Sequence, residues 1–189
     1  MNLFKSFLCL LLWAPLITCA QKTIATDAVA IFTVKTPIRD IRGENRHAVI
    51  ELDLKTGAVK SHMQVDSFRF PESFSSDKMN TIIRDRFREY YMESSRYPVM
   101  SFEGKITNPD KNGYKADGAY PLDISGYMTI HGIKQPVSVQ AVLTVKGSKR
   151  SLVSDFTVEP ESYKVKMPNH NANLDPRPGK VDIRISAEL

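Results

Sequence analysis

The 189-residue sequence has only two cysteines and one tryptophan, and Cys9, Trp13 and Cys19 all lie within its first 20 residues. A chain that loses this segment has no thiol, which excludes disulfides and cysteine nucleophiles. No Gly-rich phosphate loop, GxSxG elbow or HExxH motif is present, and no two histidines lie four residues apart. We therefore expect a protein that is not an enzyme and uses no cofactor or metal.

Long apolar runs are also missing, apart from the uncharged stretch 7–17. That length suits the core of a signal peptide and is too short to span a bilayer. We interpret residues 1–20 as a signal peptide cleaved after Ala20, which leaves Gln21 as the first residue of a periplasmic or secreted protein. Two alternatives stay open: a retained anchor, and acylation of Cys19 to give an outer-membrane lipoprotein.

Charge is nearly balanced, with 26 Lys and Arg against 21 Asp and Glu, a formal net charge of +5. The basic residues form no block along the chain, which argues against a nucleic-acid partner or an anionic membrane surface. The partner we expect is a hydrophobic small molecule, with no nucleic acid and no membrane span. A homodimer is left open.

The dominant positive feature is the alternation of apolar and polar residues. Because successive side chains of a strand point to opposite faces, each alternating run predicts a strand with one apolar face. About eight such strands with turn residues between them predict an all-β fold, an antiparallel sandwich or a closed barrel. The runs cover residues 30–34, 50–54, 59–65, 100–106, 120–130, 137–145, 152–158 and 181–189.

One segment has helical spacing instead. Between Asp77 and Glu93, large apolar residues recur every three or four positions, which predicts one short amphipathic helix that covers an opening of the barrel. Phe87 and Tyr90 would then lie over the interior. The charged run 84–89 is interpreted as the solvated face of this helix, with docking of an anionic head group as the open alternative.

The apolar faces of the clearer strands carry no charged residue, and small residues occur among the large ones, at Ser61, Gly104, Gly126, Ala141, Ser154 and Ala187. Since an eight-stranded barrel is either just filled or holds one small ligand, both a filled core and an apolar cavity stay open. The residues that we predict to line such a cavity are Phe32, Val34, Met100, Phe102, Tyr120, Leu122, Leu143, Phe156 and Ile183.

Two remaining features carry weaker signals. His131 lies in a turn, where a structural hydrogen bond is the usual role and a ligand or catalytic role is the alternative. The polar segment 168–179 is long for a connection between strands. Within it, Asn171, Asn173 and Asp175 lack the glycine and glutamate that complete a calcium loop.

Two motifs resemble those of the YceI-like lipid- and polyisoprenoid-binding family. Residues 95–102 read SRYPVMSF, similar to the family's kYPxxxF start of a strand. Residues 126–137 read GYMTIHGIKQPV, similar to its longer and more specific GxLTIHGVTKPV motif. The resemblance covers about residues 25–189, and the chain departs from the family pattern at 42–47 and 160–168.

This resemblance implies a lipocalin-like antiparallel β-barrel domain over residues 25–189 that holds a long apolar chain in its lumen. The ligand would be a polyisoprenoid, a quinone or a fatty-acyl derivative, and no catalytic residues are implied. Two other functions stay open: a filled barrel that acts as a stress or interaction protein, and an enzyme that acts on a bound hydrophobe. The enzyme would need an ionisable group such as His47 or His131 turned inward beside a carboxylate.

The interpretation of the first 20 residues gives a prediction for the mature protein. Intact-mass measurement of protein recovered from the exported fraction should give the mass of a chain that starts at Gln21. A mass that corresponds to an acylated chain starting at Cys19 would contradict cleavage after Ala20 and show a lipoprotein.

Overall fold

The computed structural model describes residues 22–35, 40–71, 76–165 and 179–189. Eight strands of these residues form one sheet, and each strand pairs antiparallel with its neighbours in chain order. The strands are β1 (Lys22–Val34), β2 (Ile41–Asp53), β3 (Ala58–Gln64), β4 (Val99–Ile106), β5 (Gly118–Ile130), β6 (Ile133–Lys146), β7 (Lys149–Val158) and β8 (Val181–Glu188). Because β8 also pairs with β1, the sheet is a closed up-and-down barrel without open edges. The predicted eight-stranded antiparallel barrel is confirmed.

Several sequence features fall outside the described residues. They include the predicted signal peptide with Cys19, and the part of the polar segment that holds His170, Asn171, Asn173 and Asp175.

The alternation sorts side chains between the inside and the outside of the barrel as predicted. In β6, Ala141, Leu143 and Val145 are buried, whereas the intervening Val142 is 43% exposed. Strands β5 and β8 follow the same rule. Apolar side chains therefore fill or line the lumen, and polar ones face outward.

Strands β1 and β2 are longer than the sequence pattern indicates, because two irregularities interrupt their alternation. Between the Ala25–Ile50 and Ala28–Ala48 pairs, β1 has one extra residue, and between the Ala28–Ala48 and Ala30–Asn45 pairs β2 has one. Each is a bulge, which places two exposed residues in succession and reverses the alternation beyond it.

The interior differs between the two ends of the barrel. We call the end that carries connections 54–57, 107–117 and 147–148 the lower end, and the end that carries residues 65–71, 76–98, 131–132 and 159–165 the upper end. At the lower end, large side chains are fully buried, among them Leu52, Leu122 and Leu143. These leucines therefore form the packed part of the interior.

A helix occupies the long connection between β3 and β4. It comprises α1 (Asp77–Arg86) and a π-helical turn, Phe87–Tyr91. Val65 N donates to Pro98 O at 2.8 Å where the chain leaves and rejoins the sheet, so the helix is an insertion in an otherwise ordinary hairpin. No helix among the described residues has the length and apolarity needed to cross a membrane.

Close approach of β4 and β5 gives a prediction about Gly126. A Cβ added there would collide with the carbonyl oxygen of Glu103 and the Cα of Gly104, which are rigid backbone atoms. We expect Gly126→Ala to lower the free energy of unfolding by about 1–3 kcal/mol, because the strands must move apart.

The matched control is Gly179→Ala, where nothing lies within 4 Å of the added Cβ. Urea unfolding of both variants measures the difference. Equal stability of the two variants would contradict the close approach.

Candidate functional site

The upper half of the barrel contains a cavity of about 430 Å³. This volume falls within the range of about 300–1,000 Å³ typical of small-molecule sites. All eight strands, α1, the π-helical turn and residues 160–165 contribute to its wall. The barrel is therefore filled below and hollow above, which answers the question that the sequence left open.

Most of the predicted lining residues lie on this wall: Phe32, Val34, Phe87, Met100, Phe102, Phe156 and Ile183. They come from strands that are distant in sequence and meet only because the sheet closes. Their contact with a ligand stays a prediction.

The other four predicted residues are not among those that line this cavity. Leu122 and Leu143 point inward but are packed in the filled lower half. The Tyr120 ring packs edge-on against the buried Tyr114 ring, at 5.3 Å between centroids. Its hydroxyl donates to the carbonyl oxygen of Ala116 at 2.8 Å, so Tyr120 belongs to the closure of the lower end.

Tyr90 is 74% exposed and does not cover the lumen. The reason is the π-helical turn, in which the Met92 N–H donates to Phe87 O five residues earlier at 2.9 Å. Such a turn brings residues four and five positions apart onto one face, so Tyr91 and Met92 follow Phe87 toward the cavity. A regular α-helical period would place Tyr90 on the same face as Phe87, so it does not predict that Tyr90 points away from the cavity.

Four phenylalanines form an aromatic cluster at the upper end: Phe32, Phe68, Phe70 and Phe87. Phe87 stacks on Phe32 at 5.2 Å between centroids and packs against Phe68 and Phe70 at 5.4 and 5.5 Å. Such pairs contribute about 0.5–1.5 kcal/mol each beyond the burial of their area. The cluster therefore holds the helical segment to β1. Phe68 and Phe70 were missed, although their alternation around Arg69 is a signal of strand-like pairing.

Polar contacts of β2 hold the segment that carries Phe68 and Phe70. Glu44 and Arg69 exchange two backbone hydrogen bonds of 2.8 Å. Asn45 is fully buried; its Nδ2 donates to Gln64 O at 2.9 Å and its Oδ1 accepts from His47 N at 2.8 Å. A buried amide satisfied in this way fixes the local path of the backbone.

The small residues of the interior have two different roles. Ser61, Ala141 and Ser154 line the cavity and widen it. In contrast, the ring of Phe102 lies over Gly104, and the ring of Phe32 lies over its register partner Gly43, where no Cβ would fit. Glycine in these strands therefore accommodates an aromatic ring, and only the serines and alanine leave open space.

The helical segment is anchored at its C-terminal end. Arg88 Nε donates to Asp66 Oδ1 at 2.7 Å, and this hydrogen bond, followed by one from Ser94, lowers the pKa of the Asp66 carboxyl. At the other end, no residue of α1 is buried, and Met79 and Ile82 line the cavity while 41% and 37% exposed. The apolar face of α1 thus borders an open space that the protein does not fill.

The two family-like motifs meet at the upper rim. The rings of Tyr97 and His131 pack edge-on at 4.6 Å, and a Cβ on Gly132 would strike the Tyr97 ring. His131 Nδ1 lies 3.3 Å from the carbonyl oxygen of Tyr163, and its buried Nε2 lies 3.2 Å from Glu93 Oε1, with alignment too poor for a hydrogen bond. His131 is beside a carboxylate, as an enzyme would need, but neither residue lines the cavity.

The cavity wall is almost free of charge. Among the described lining residues, only Arg86 is charged, and the polar groups are serines, Tyr91 and Tyr163. Burial raises the pKa of the Tyr163 phenol, so the hydroxyl stays neutral in ordinary buffers. The described part of the chain contains no cluster of three His, Cys, Asp or Glu that suits a metal ion. The chemistry of the wall suits a hydrocarbon chain.

A family model for the YceI-like domain matches residues 21–189. This match confirms the resemblance first seen in the two motifs. Among curated proteins, no significant match to the chain is found.

Solved structures share the fold at low sequence identity. A polyisoprenoid-binding domain from Saccharophagus degradans, implicated in plant cell wall breakdown, has a TM-score of 0.69 at 13% identity, covering 89% of this chain and 97% of its own. BcnA of Burkholderia cenocepacia has a TM-score of 0.66 at 15% identity, covering 86% and 96%. The YCEI protein of Campylobacter jejuni has a TM-score of 0.58 at 14% identity, covering 79% and 84%. At such identities the likeness is one of fold.

The aromatic cluster gives a prediction about the helix. Phe87→Ala should lower the free energy of unfolding by at least about 2 kcal/mol and expose residues 77–91 to hydrogen exchange, because the ring that joins the helix to β1 is lost. Tyr90→Ala is the matched control, since this exposed ring should change stability by no more than about 0.5 kcal/mol. The same effect from both substitutions would show that Phe87 is not the anchor.

Proposed function

The chain belongs to the YceI-like domain family, and from the hollow upper half of its barrel we propose that it is a non-enzymatic binding protein that carries a long-chain amphiphile. The tail of the ligand lies in the lumen, against the seven predicted residues that line it. Polyisoprenoids, quinones and fatty-acyl derivatives have the required chemistry.

The observation that carries this proposal is an apolar cavity with an unfilled helix face at its border. Each methylene buried there contributes about 0.8 kcal/mol, so a tail of about ten methylenes contributes on the order of 8 kcal/mol before the costs of association. The bound tail would also cover Met79 and Ile82, which the protein alone leaves exposed. The ligand would thus complete the packing of α1.

The low density of polar groups favours binding over catalysis. The polar side-chain groups of the wall are three serine hydroxyls, two phenols and Arg86, and no Asp, Glu or His is among the described lining residues. General acid–base chemistry needs such a group within hydrogen-bond reach of the substrate. The polyisoprenoid-binding relative from Saccharophagus degradans supports the same assignment.

We extend the proposal to where the protein acts. A carrier of membrane-derived amphiphiles is useful in an aqueous compartment between lipid surfaces, which agrees with export through a cleaved signal peptide. Lipidation at Cys19 and assembly into a homodimer stay predictions.

Organic extraction of the purified protein, followed by mass spectrometry, tests the proposal. We expect a lipid with an alkyl or isoprenyl chain to be recovered in a reproducible ratio to protein. Repeated recovery of no lipid, together with no uptake of an added isoprenoid, would refute a carrier function.

A pair of phenylalanine substitutions tests whether the lumen is the site. Ser61 lines the cavity, whereas its neighbour Lys60 is exposed on the outer face. Ser61→Phe should weaken binding of an added isoprenoid by about tenfold or more, because the ring takes space and contacts that the tail would have. Lys60→Phe adds the same ring outside and should leave binding unchanged. Equal binding by both variants would place the ligand elsewhere.

A further inference from the structure

Arg86 has a position that the carriage of a hydrocarbon tail does not explain. Resting on the proposed function, we infer that Arg86 binds the head of the ligand, and that the ligand is therefore an acidic amphiphile, with one carboxylate or phosphate on its tail.

Three arginines alternate along the end of the helical segment, and two of them already have carboxylate partners. Arg84 donates from Nε and Nη2 to Asp85 Oδ1, both at 3.1 Å. Arg88 donates to Asp66 Oδ1 at 2.7 Å. Within the described residues, Arg86 forms no ion pair. Of the three arginines in the charged run 84–89, only Arg86 is therefore available to a ligand.

Arg86 also differs in where it lies. It is the only charged side chain on the cavity wall among the described residues, and it adjoins Phe87, which packs into the aromatic cluster. Ile82 and Ile83, one turn earlier, lie on the same wall. Arg86 thus follows these two isoleucines along the same side of α1, and since it is an exposed residue that also lines the cavity, it lies between the cavity and water.

A guanidinium at this boundary distinguishes acidic heads from neutral ones. Its planar donors match a carboxylate or a phosphate in pairs, which a single hydroxyl or quinone oxygen does not reproduce. Beside an apolar cavity, the attraction between opposite charges is also less weakened than in bulk water. The tail would give affinity, and Arg86 would give selectivity and keep the head at the upper end.

Matched ligands with the same tail test this inference. Delipidated protein would be titrated with palmitate and with cetyl alcohol below their aggregation concentrations, using displacement of a fluorescent hydrophobic probe. Geranylgeranyl phosphate and geranylgeraniol form a second pair, which separates a phosphate head from a carboxylate head. We expect the wild-type protein to prefer at least one acid over its alcohol by about fivefold, the usual worth of one partly exposed charged hydrogen bond, and to lose this preference at high salt.

Two variants identify the residue responsible. Arg86→Gln should abolish the preference for the acid and leave the affinity for the alcohol within about twofold, because the tail contacts remain. Arg84→Gln, on the same helix but paired with Asp85, should keep the preference.

Each outcome separates the inference from the proposed function. Binding of acid and alcohol with equal affinity, or an equal loss of both in Arg86→Gln, would overturn the role of Arg86 while leaving a carrier of neutral lipids. Failure of every probe to bind would refute the proposed function and this inference with it.

Discussion

Closure of the sheet between β1 and β8 is the constraint on which the rest of the structure depends. It satisfies the backbone of every strand, and it fixes one interior width along the whole barrel. Side-chain size then decides what that interior contains. Leucines and two tyrosines fill the lower half, whereas serines and an alanine leave the upper half open, so a single sheet provides both a core and a cavity. The lower half thereby contributes core packing to stability, and the upper half contributes the space for a ligand.

The upper end is organised around an insertion. Between β3 and β4 the chain forms the helix. Phe87 packs in the aromatic cluster and so attaches this helix to the barrel. Buried polar contacts of β2 hold the cluster in place, and Arg88 adds a tether to Asp66. Since these contacts concentrate at one end of the helical segment, α1 is fixed to the barrel without being buried by it. The result is a cavity that has a helix at its border and is not sealed.

The position of its charged residue distinguishes one part of the cavity wall from the rest. Among the described lining residues the only charged one is Arg86, which belongs to the helix at the upper end. The ring contact between His131 and Tyr97 joins the two family-like motifs at the rim, and neither His131 nor Glu93 lines the cavity. Solved structures at 13–15% identity share the fold of this barrel.

Period-two alternation along the chain was enough to predict about eight strands and their inward faces, because it reports which side of a strand is apolar. It left a sandwich and a closed barrel open, and the resemblance to the family implied the barrel. The sequence by itself also determined the family, since the motifs at 95–102 and 126–137 are long enough to be specific. Which inward residues meet a cavity follows from the folded barrel alone: Leu122 and Phe102 have the same alternation signal, yet Leu122 is packed in the lower half and Phe102 lines the cavity. The π-helical turn directs Tyr90 away from the cavity, and the bulges of β1 and β2 reverse the alternation of those strands, and no regular period predicts either change. Room for a ligand depends on the total volume of the side chains that point inward at one height of the barrel. These side chains come from strands that are distant in sequence, so they meet only when the sheet closes.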